Sequence, residues 1–318
     1  MRRILALAVA AMFCTGAIAQ LYPAKPVKVL VPFSPGGTSD IVARLVAAKL
    51  SEELGQQFVV ENRGGAGGTI ATAVVAKAPP DGYLILAAHQ GVAFNATLYT
   101  KLSYDTAKEL LPLAMIGPTP NVLVTTNAFA PKTVQEFLAY ARGNPGVVTY
   151  GSGGVGSAAH LSVELLESLA QIRLAHIPYK GAGPALNDLV AGQIQCMVVT
   201  LPAAIGYIKG GKLKALATSG VRRTPAMPDL PTIAEGGVPG YEFAPWYGFL
   251  LPAGTPRPIV ERLNLAVNKV IAAPALKEQF ASLGLDPEPM TPERFAEVFN
   301  GDIARWGGII RKLGLKAD

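Results

Sequence analysis

Apolar residues fall along this chain in short runs set between glycine-rich turns and amphipathic stretches. Val27 to Phe33 is a nearly continuous apolar run, which predicts a buried strand. It stops at Ser34-Pro35-Gly36-Gly37, a turn sequence. Ile41, Val42, Leu45, Val46, Leu50 and Leu54 then recur at helical spacing up to Gly55, which predicts a one-sided helix closed by a glycine C-cap. Phe58 to Glu61 reads as a second strand. Gly64-Gly65-Ala66-Gly67-Gly68 leads from it into an Ala/Val-rich helix that runs to Ala78. After the turn Pro79-Pro80-Asp81-Gly82, Tyr83 to Ala88 is a third strand. This βαβαβ order predicts a parallel sheet covered by helices.

A second series follows the long extended stretch Leu113 to Thr126, which Pro118 and Pro120 interrupt and which can pass between two lobes. It comprises a helix (Val134 to Arg142), a strand (Val147 to Tyr150), a glycine-rich turn (Gly151 to Gly156) and a helix (Ser157 to Ala170). A strand (Leu174 to Tyr179), a helix (Pro184 to Ala191) and a strand (Ile194 to Thr200) complete it. Thr224 to Pro258 is rich in Pro and Gly, with one strand-like piece at Trp246 to Leu251. Ile259 to Leu283 and Pro292 to Leu313 have helical patterns. The expectation is an α/β protein of two lobes, with 20–122 and 224–318 forming the first and 123–223 the second.

Composition narrows the class. The 318 residues are 50% hydrophobic and 16% charged, which is enough apolar material for a core and excludes disorder as the main state. The net charge of +6 is mild, and Lys and Arg are scattered with no run longer than two, which argues against nucleic acid. Met1-Arg2-Arg3, the apolar segment Ile4 to Phe13 and Ala17-Ile18-Ala19 together read as a signal peptide over residues 1–19. The apolar segment is too short to span a bilayer. The expected product is a soluble periplasmic protein whose one remaining cysteine, Cys196, is a core thiol in an apolar run.

Two glycine-rich turns carry the candidate chemistry, Ser34 to Asp40 and Gly151 to Ser157. Each lies between a strand and a helix, where free main-chain N–H groups and the positive end of the helix dipole bind anions without a basic side chain. Glycines such as Gly36, Gly37 and Gly156 let the backbone approach a ligand. Ser34, Thr38, Ser39, Ser152 and Ser157 add hydroxyls. The plainer alternative is a pair of tight turns with N-caps at Ser39 and Ser157. Gly151 to Gly156 also matches G-x-G-x-x-G, but His176 to Lys180 supplies no carboxylate where a dinucleotide site needs one. The three histidines have no metal-ligand spacing, and no phosphate-binding G-x-x-x-x-G-K-[ST] motif is present. No cofactor is expected. Ser157 and His160 lie on one helical turn and leave an exported serine hydrolase as the competing class, although no G-x-S-x-G elbow surrounds either serine.

The ordered motifs Val31-Pro32-Phe33-Ser34-Pro35-Gly36-Gly37-Thr38-Ser39-Asp40, Val60-Glu61-Asn62-Arg63-Gly64-Gly65-Ala66-Gly67-Gly68, Pro80-Asp81-Gly82-Tyr83, Tyr150-Gly151-Ser152, Gly156-Ser157, His160-Leu161, Pro178-Tyr179-Lys180-Gly181 and Pro252-Ala253-Gly254-Thr255-Pro256 resemble the Bug family. These proteins are the extracytoplasmic solute receptors of tripartite tricarboxylate transporters. The resemblance covers essentially the whole mature chain. It implies a two-lobe periplasmic-binding-protein fold (type II-like), hinged, with the ligand in the interlobe cleft. It also implies a monomer that binds a small organic acid and works with a large and a small membrane subunit.

Carried over by position, the resemblance points to Ser34, Gly37, Thr38 and Ser39 in the first lobe and Ser152, Gly156, Ser157 and His160 in the second, with Tyr179 closing the wall. His89 and Gln90, at the end of the third strand, stand where relatives differ and are expected to set selectivity. Many relatives carry Asp-Asn where this chain has Val199-Thr200, so no carboxylate is available there for a ligand ammonium. The expected ligand is an acid without an amino group, with aromatic and dicarboxylic acids as candidates. Gly37→Val and Gly156→Val are expected to abolish binding by blocking the turn amides while sparing the fold.

Overall fold

A computed structural model of the protein describes residues 22–317, so the proposed signal peptide lies outside the described residues. The chain forms two five-stranded sheets. The first begins with β1 (Val27–Val31), α1 (Thr38–Leu54), β2 (Phe58–Asn62), α2 (Thr69–Ala76), β3 (Leu84–His89) and α3 (Gly91–Leu98), and then β4 (Leu110–Pro118). The second contains β5 (Asn121–Thr126), α4 (Val134–Gly143), β6 (Thr149–Ser152), α5 (Ala158–Ala170), β7 (Ala175–Pro178), α6 (Ala182–Val190), β8 (Cys196–Thr200), α7 (Leu201–Lys209) and β9 (Leu213–Thr218). The chain returns to the first sheet with β10 (Trp246–Pro252) and ends in α8 (Arg257–Ala272), α9 (Pro274–Leu283) and α10 (Pro292–Leu313).

The strand orders are β2-β1-β3-β10-β4 and β7-β6-β8-β5-β9. In each sheet three strands run parallel, and the strand beside them, β10 or β5, runs antiparallel to both neighbours. Each reversed strand is the one that has just arrived from the other sheet. The extended stretch read at Leu113 to Thr126 is therefore two strands, β4 and β5, one in each sheet. Pro118 ends the first and Pro120 precedes the second, consistent with proline's inability to donate to a ladder.

Local chemistry sets most boundaries. Gly55 closes α1 in the left-handed region (φ 66°), with its N–H on the Ser51 carbonyl. Ser157 caps α5, its Oγ accepting from the His160 N–H. Ser39 does not cap α1: the helix starts at Thr38 behind Gly37, which offers no side-chain cap, so Ser39 lies inside the first turn. The single helix expected over Ile259 to Leu283 is two. Pro274 opens α9 and forces Ala273 into an extended conformation (ψ 134°) between them.

One core cluster joins β1, α1, β3 and α8 through Val29, Val46, Leu50, Ile85, Leu263 and Val267. Another fills the second sheet's face with Phe137, Tyr150, Leu161, Cys196 and Val198, and it also takes in Phe94 of α3 and Trp306 and Ile310 of α10. Trp306 lies 4.7 Å from the Phe94 ring and 5.3 Å from Phe243, while Phe295 and Phe299 of the same helix pack beside Trp246 on the first sheet. The C-terminal helix therefore packs on both bodies. Cys196 is buried within this core, and burial pushes its thiol well above the ordinary range.

Candidate functional site

Parallel strands deliver their C-terminal ends, and the helix N-termini that follow, to one edge of each sheet. Those two edges face one another. β1 hands on to α1 and β6 to α5, while α6 follows β7 and α7 follows β8 directly. Between them lies a cavity of about 50 Å³. The first body contributes Phe33, Gly37, Thr38, Ser39, His89 and Tyr247 to its wall. The second contributes Gly153, Ser157, Ala158, Ala159, Ala182 and Val199, together with Thr200. No Asp, Glu, Lys or Arg is among these lining residues.

The two bodies are closed on each other around this space. Thr38 Oγ1 and Thr200 Oγ1 share a hydrogen bond of 2.5 Å. Burial pushes the Tyr247 phenol up to about 12, with Thr200 and Thr38 opposing the shift. At the rim the Ser34 N–H donates to the Lys180 carbonyl at 3.0 Å, and the Tyr99 hydroxyl to the Val155 carbonyl at 3.0 Å.

The first turn is held by a carboxylate. Asp40 Oδ2 accepts from the Gly36 N–H at 3.1 Å, and Oδ1 accepts from Arg44 Nε at 2.9 Å and Asn62 Nδ2 at 3.0 Å. Asn62 Nδ2 also donates to the Phe33 carbonyl. The Gly36 amide is thus spent on Asp40, and Gly36 (φ 87°) shapes the turn without lining the cavity.

The second turn is held by imidazoles. Ser152 Oγ accepts from the Gly154 N–H and pairs with His176 Nε2 at 2.6 Å. The His176 ring stacks between Tyr150 (4.7 Å) and His160 (4.5 Å). Burial lowers His176 to about 4, with His160 adding to the shift and Glu164 opposing it. His160 Nδ1 accepts from the Gly156 N–H at 3.4 Å, while Nε2 faces Glu164 at 3.4 Å. The Glu164 carboxyl is held below its usual range chiefly by that contact. Ser152 and His160 therefore brace the turn from behind. The Ser157–His160 side-chain pair that the hydrolase alternative would need is not formed. Ser157 Oγ takes the main-chain N–H of His160, and the imidazole is engaged elsewhere.

Gly156 also answers to a constraint from the facing body. Its φ is 82°, and a Cβ there would lie 2.3 Å from Asn95 Oδ1 of the first body. It is the close approach of the two bodies that demands glycine here. A Cβ on Gly37 would make an ordinary 3.6 Å contact with Ala182 across the gap. Ser34 and Tyr179 line a wider recess of about 620 Å³ outside the cavity, and the Tyr179 hydroxyl donates to Asp188 at 2.7 Å. Gln90 is turned to Asp302, whose Oδ2 it shares with the Trp246 indole N–H at 2.8 and 2.7 Å.

Of the expected site residues, Gly37, Thr38, Ser39, His89, Ser157 and Thr200 meet in the cavity. Ser34, Gly36, Gln90, Ser152, Gly156, His160 and Tyr179 surround or support it. Sequence reasoning missed Tyr247, Phe33, Val199 and the alanines at 158, 159 and 182. Tyr247 had a usable signal, since it lies near the start of the strand-like piece Trp246 to Leu251; the structure pairs it in register with His89.

The family model described as tripartite tricarboxylate transporter family receptor matches residues 42–315. A protein of the tcbD-tcbE intergenic region of Pseudomonas sp. (strain P51) is 38% identical, covering 100% of this chain and 96% of its own length. BugT of Bordetella pertussis is 36% identical over 94% of this chain and 92% of its own. Among solved structures, R. palustris Rpa4515 with adipate aligns with a TM-score of 0.90 at 36% identity, covering 93% of this chain and 99% of that one. MatC from Rhodopseudomonas palustris with bound malate aligns at 0.87 and 35% identity, covering 91% and 100%. The periplasmic binding protein BugD aligns at 0.90 and 35% identity, covering 93% and 99%. With a two-lobe architecture, a cavity at the facing strand ends and relatives that match along nearly its whole length, the chain belongs to the tripartite tricarboxylate transporter receptor family, the Bug proteins.

Proposed function

We propose that this protein is a periplasmic receptor that traps a small organic carboxylate between its lobes and delivers it to the large and small membrane subunits of a tripartite transporter. Lobe one is taken as 20–122 with 224–318 and lobe two as 123–223. The leader at residues 1–19 directs export, and the mature chain acts as a monomer without a cofactor. Its task is capture and release, with no bond made or broken.

One observation carries the reading. The first turns of α1 and α5 meet in one cavity whose lining holds no charged side chain. Main-chain N–H groups and helix dipoles are then what neutralises the ligand, and they suit an anion. A ligand ammonium would face donors and positive dipole ends with no carboxylate to receive it. The adipate and malate held by two similar receptors support the same class. A cavity of about 50 Å³ has room for roughly four water positions, which favours a short chain. Gly37, Thr38, Ser39, Ser157 and Thr200 are the proposed ligand neighbours. Gly36, Ser152, Gly156 and His160 hold the turns, Gln90 braces the base of α3, and Ser34 and Tyr179 form the rim.

Thermal unfolding with added acids tests this. At about one hundred times Kd a ligand contributes about 2.7 kcal/mol, a rise of roughly 5 °C for a chain of this size. Succinate, malate or adipate should give such a rise, and aspartate and glutamate should not. Stabilisation by the amino acids with none by the plain acids would overturn the reading.

A further inference from the structure

His89 lines the cavity, and its Nε2 is a buried polar atom with no hydrogen-bond partner among the described residues. The residue is 2% exposed. Its other ring nitrogen is occupied, because the Gly91 N–H donates to Nδ1 at 3.0 Å. A ring nitrogen that accepts holds no proton, so the proton of the neutral ring sits on Nε2. Burial keeps the ring neutral by lowering its pKa to about 4. A charged ring would also turn an Nδ1 proton against the Gly91 N–H.

The ring is fixed in place. Phe33 lies 4.9 Å away on one side, and Tyr247 stands beside it in the sheet register. A Cβ on Gly91 would come within 2.1 Å of His89 Cε1, so this ring position exists only beside a glycine. The result is a rigid, uncharged donor in a space already lined by the N-terminal ends of four helices, through Thr38, Ala158, Ala182 and Thr200. Each helix end is equivalent to roughly half a positive charge, about two charges together.

Building on the carboxylate-receptor reading, we propose that His89 is a specificity residue whose Nε2–H donates to a second oxygen function of the ligand, apart from the carboxylate held by the turn amides, so that the receptor selects short dicarboxylates over monocarboxylates of the same length. A methyl or an ammonium at that end leaves the N–H unpaired. An oxygen acceptor satisfies it. Gly91 is the positioning residue that makes room for the ring.

Calorimetric titration with succinate and butyrate, which differ in a terminal carboxylate against a methyl, reads this directly. The wild type should prefer succinate. His89→Phe should lower the affinity for succinate by roughly 10- to 100-fold and leave that for butyrate within about twofold. His89→Gln, which keeps a neutral N–H donor, should recover much of the loss. Gly91→Ala, which keeps the imidazole but displaces it, should shift the preference in the same direction as His89→Phe. An unchanged succinate-to-butyrate ratio in His89→Phe would overturn the proposal. A second readout needs no variant. In ¹⁵N-histidine-labelled protein, His89 should remain the Nε2–H tautomer from pH 5.5 to 8, and its Nε2–H signal should move on saturation with succinate. A proton on Nδ1, or an unmoved signal in the saturated protein, would also overturn it. Failure of the wild type to bind succinate, malate or adipate would instead remove the carboxylate reading itself, and the role of His89 with it.

Discussion

The two glycine-rich turns open onto one cavity and are held by different supports. The turn at Ser34 to Asp40 is tied by a carboxylate that gathers Gly36, Arg44 and Asn62. The turn at Gly151 to Ser157 rests on a stack of Tyr150, His176 and His160, with Ser152 and Glu164 at its ends. Only the second has a side-chain cap. What the two share is the main chain. Each frees the first amides of a helix and brings them to the same cavity. The recognition element we propose is therefore backbone geometry, held in each turn by a different set of side chains.

The largest separation between the turns is expected from Gly156→Val. Its left-handed φ and the 2.3 Å approach to Asn95 leave no room for a side chain while the lobes are closed. Acid binding should fall at least about 100-fold and the unliganded protein should stay folded, since opening relieves the clash; the corresponding loss in Gly37→Val should be smaller, because its Cβ meets Ala182 at 3.6 Å. Titration calorimetry on both variants checks the order, and equal losses would erase the distinction. Next, Asp40→Ala strips the first turn of its brace and leaves the Gly36 N–H and Asn62 without their acceptor. A cost of roughly 2–4 kcal/mol in urea unfolding is expected, together with weaker binding.

Acid should act on the imidazoles. His89 and His176 have folded pKa values lowered to about 4 from an ordinary value of 6.5. The unfolded chain therefore binds more protons than the folded one between those values, and stability drops as pH falls from about 6.5 toward 4. Each group contributes a slope of up to about 1.4 kcal/mol per pH unit in that window. Urea midpoints at pH 7 and 5 measure it, and His176→Phe should flatten the fall. The smallest contrast is Ser157→Ala against Ser39→Ala. Loss of the cap should cost about 1 kcal/mol, while Ser39, inside its helix, should cost a few tenths.

Much of this architecture is written locally. Gly55, the span of α10 and the buried strands follow from glycine, proline and apolar spacing within a few residues. The elements missed have local sequences that say something else. α7 begins Leu201-Pro202, which reads as a break until proline is placed in the first helical turn. α3 begins at a glycine and carries little polar contrast. β9 follows a Gly-Gly turn and carries Lys214 near its start. Both turns of the site were legible because strand, glycines and helix are contiguous. Their supports were not. Asp40 meets Asn62 across 22 residues, and Ser152 meets His176 across 24. Such pairs are chosen by the folded topology and leave no spacing in the chain. Gly156 shows the converse. The sequence marks it as special, but only the facing lobe explains why.

The central claim is that amides from both turns hold one carboxylate. Crystallisation with the acid that most raises the unfolding temperature tests it most directly. The account predicts one carboxylate within hydrogen-bonding distance of main-chain nitrogens from Gly37 to Ser39 and from Ser157 to Ala159 together. A ligand bound to side chains alone, to one lobe alone, or in the outer recess beside Tyr179 would contradict it.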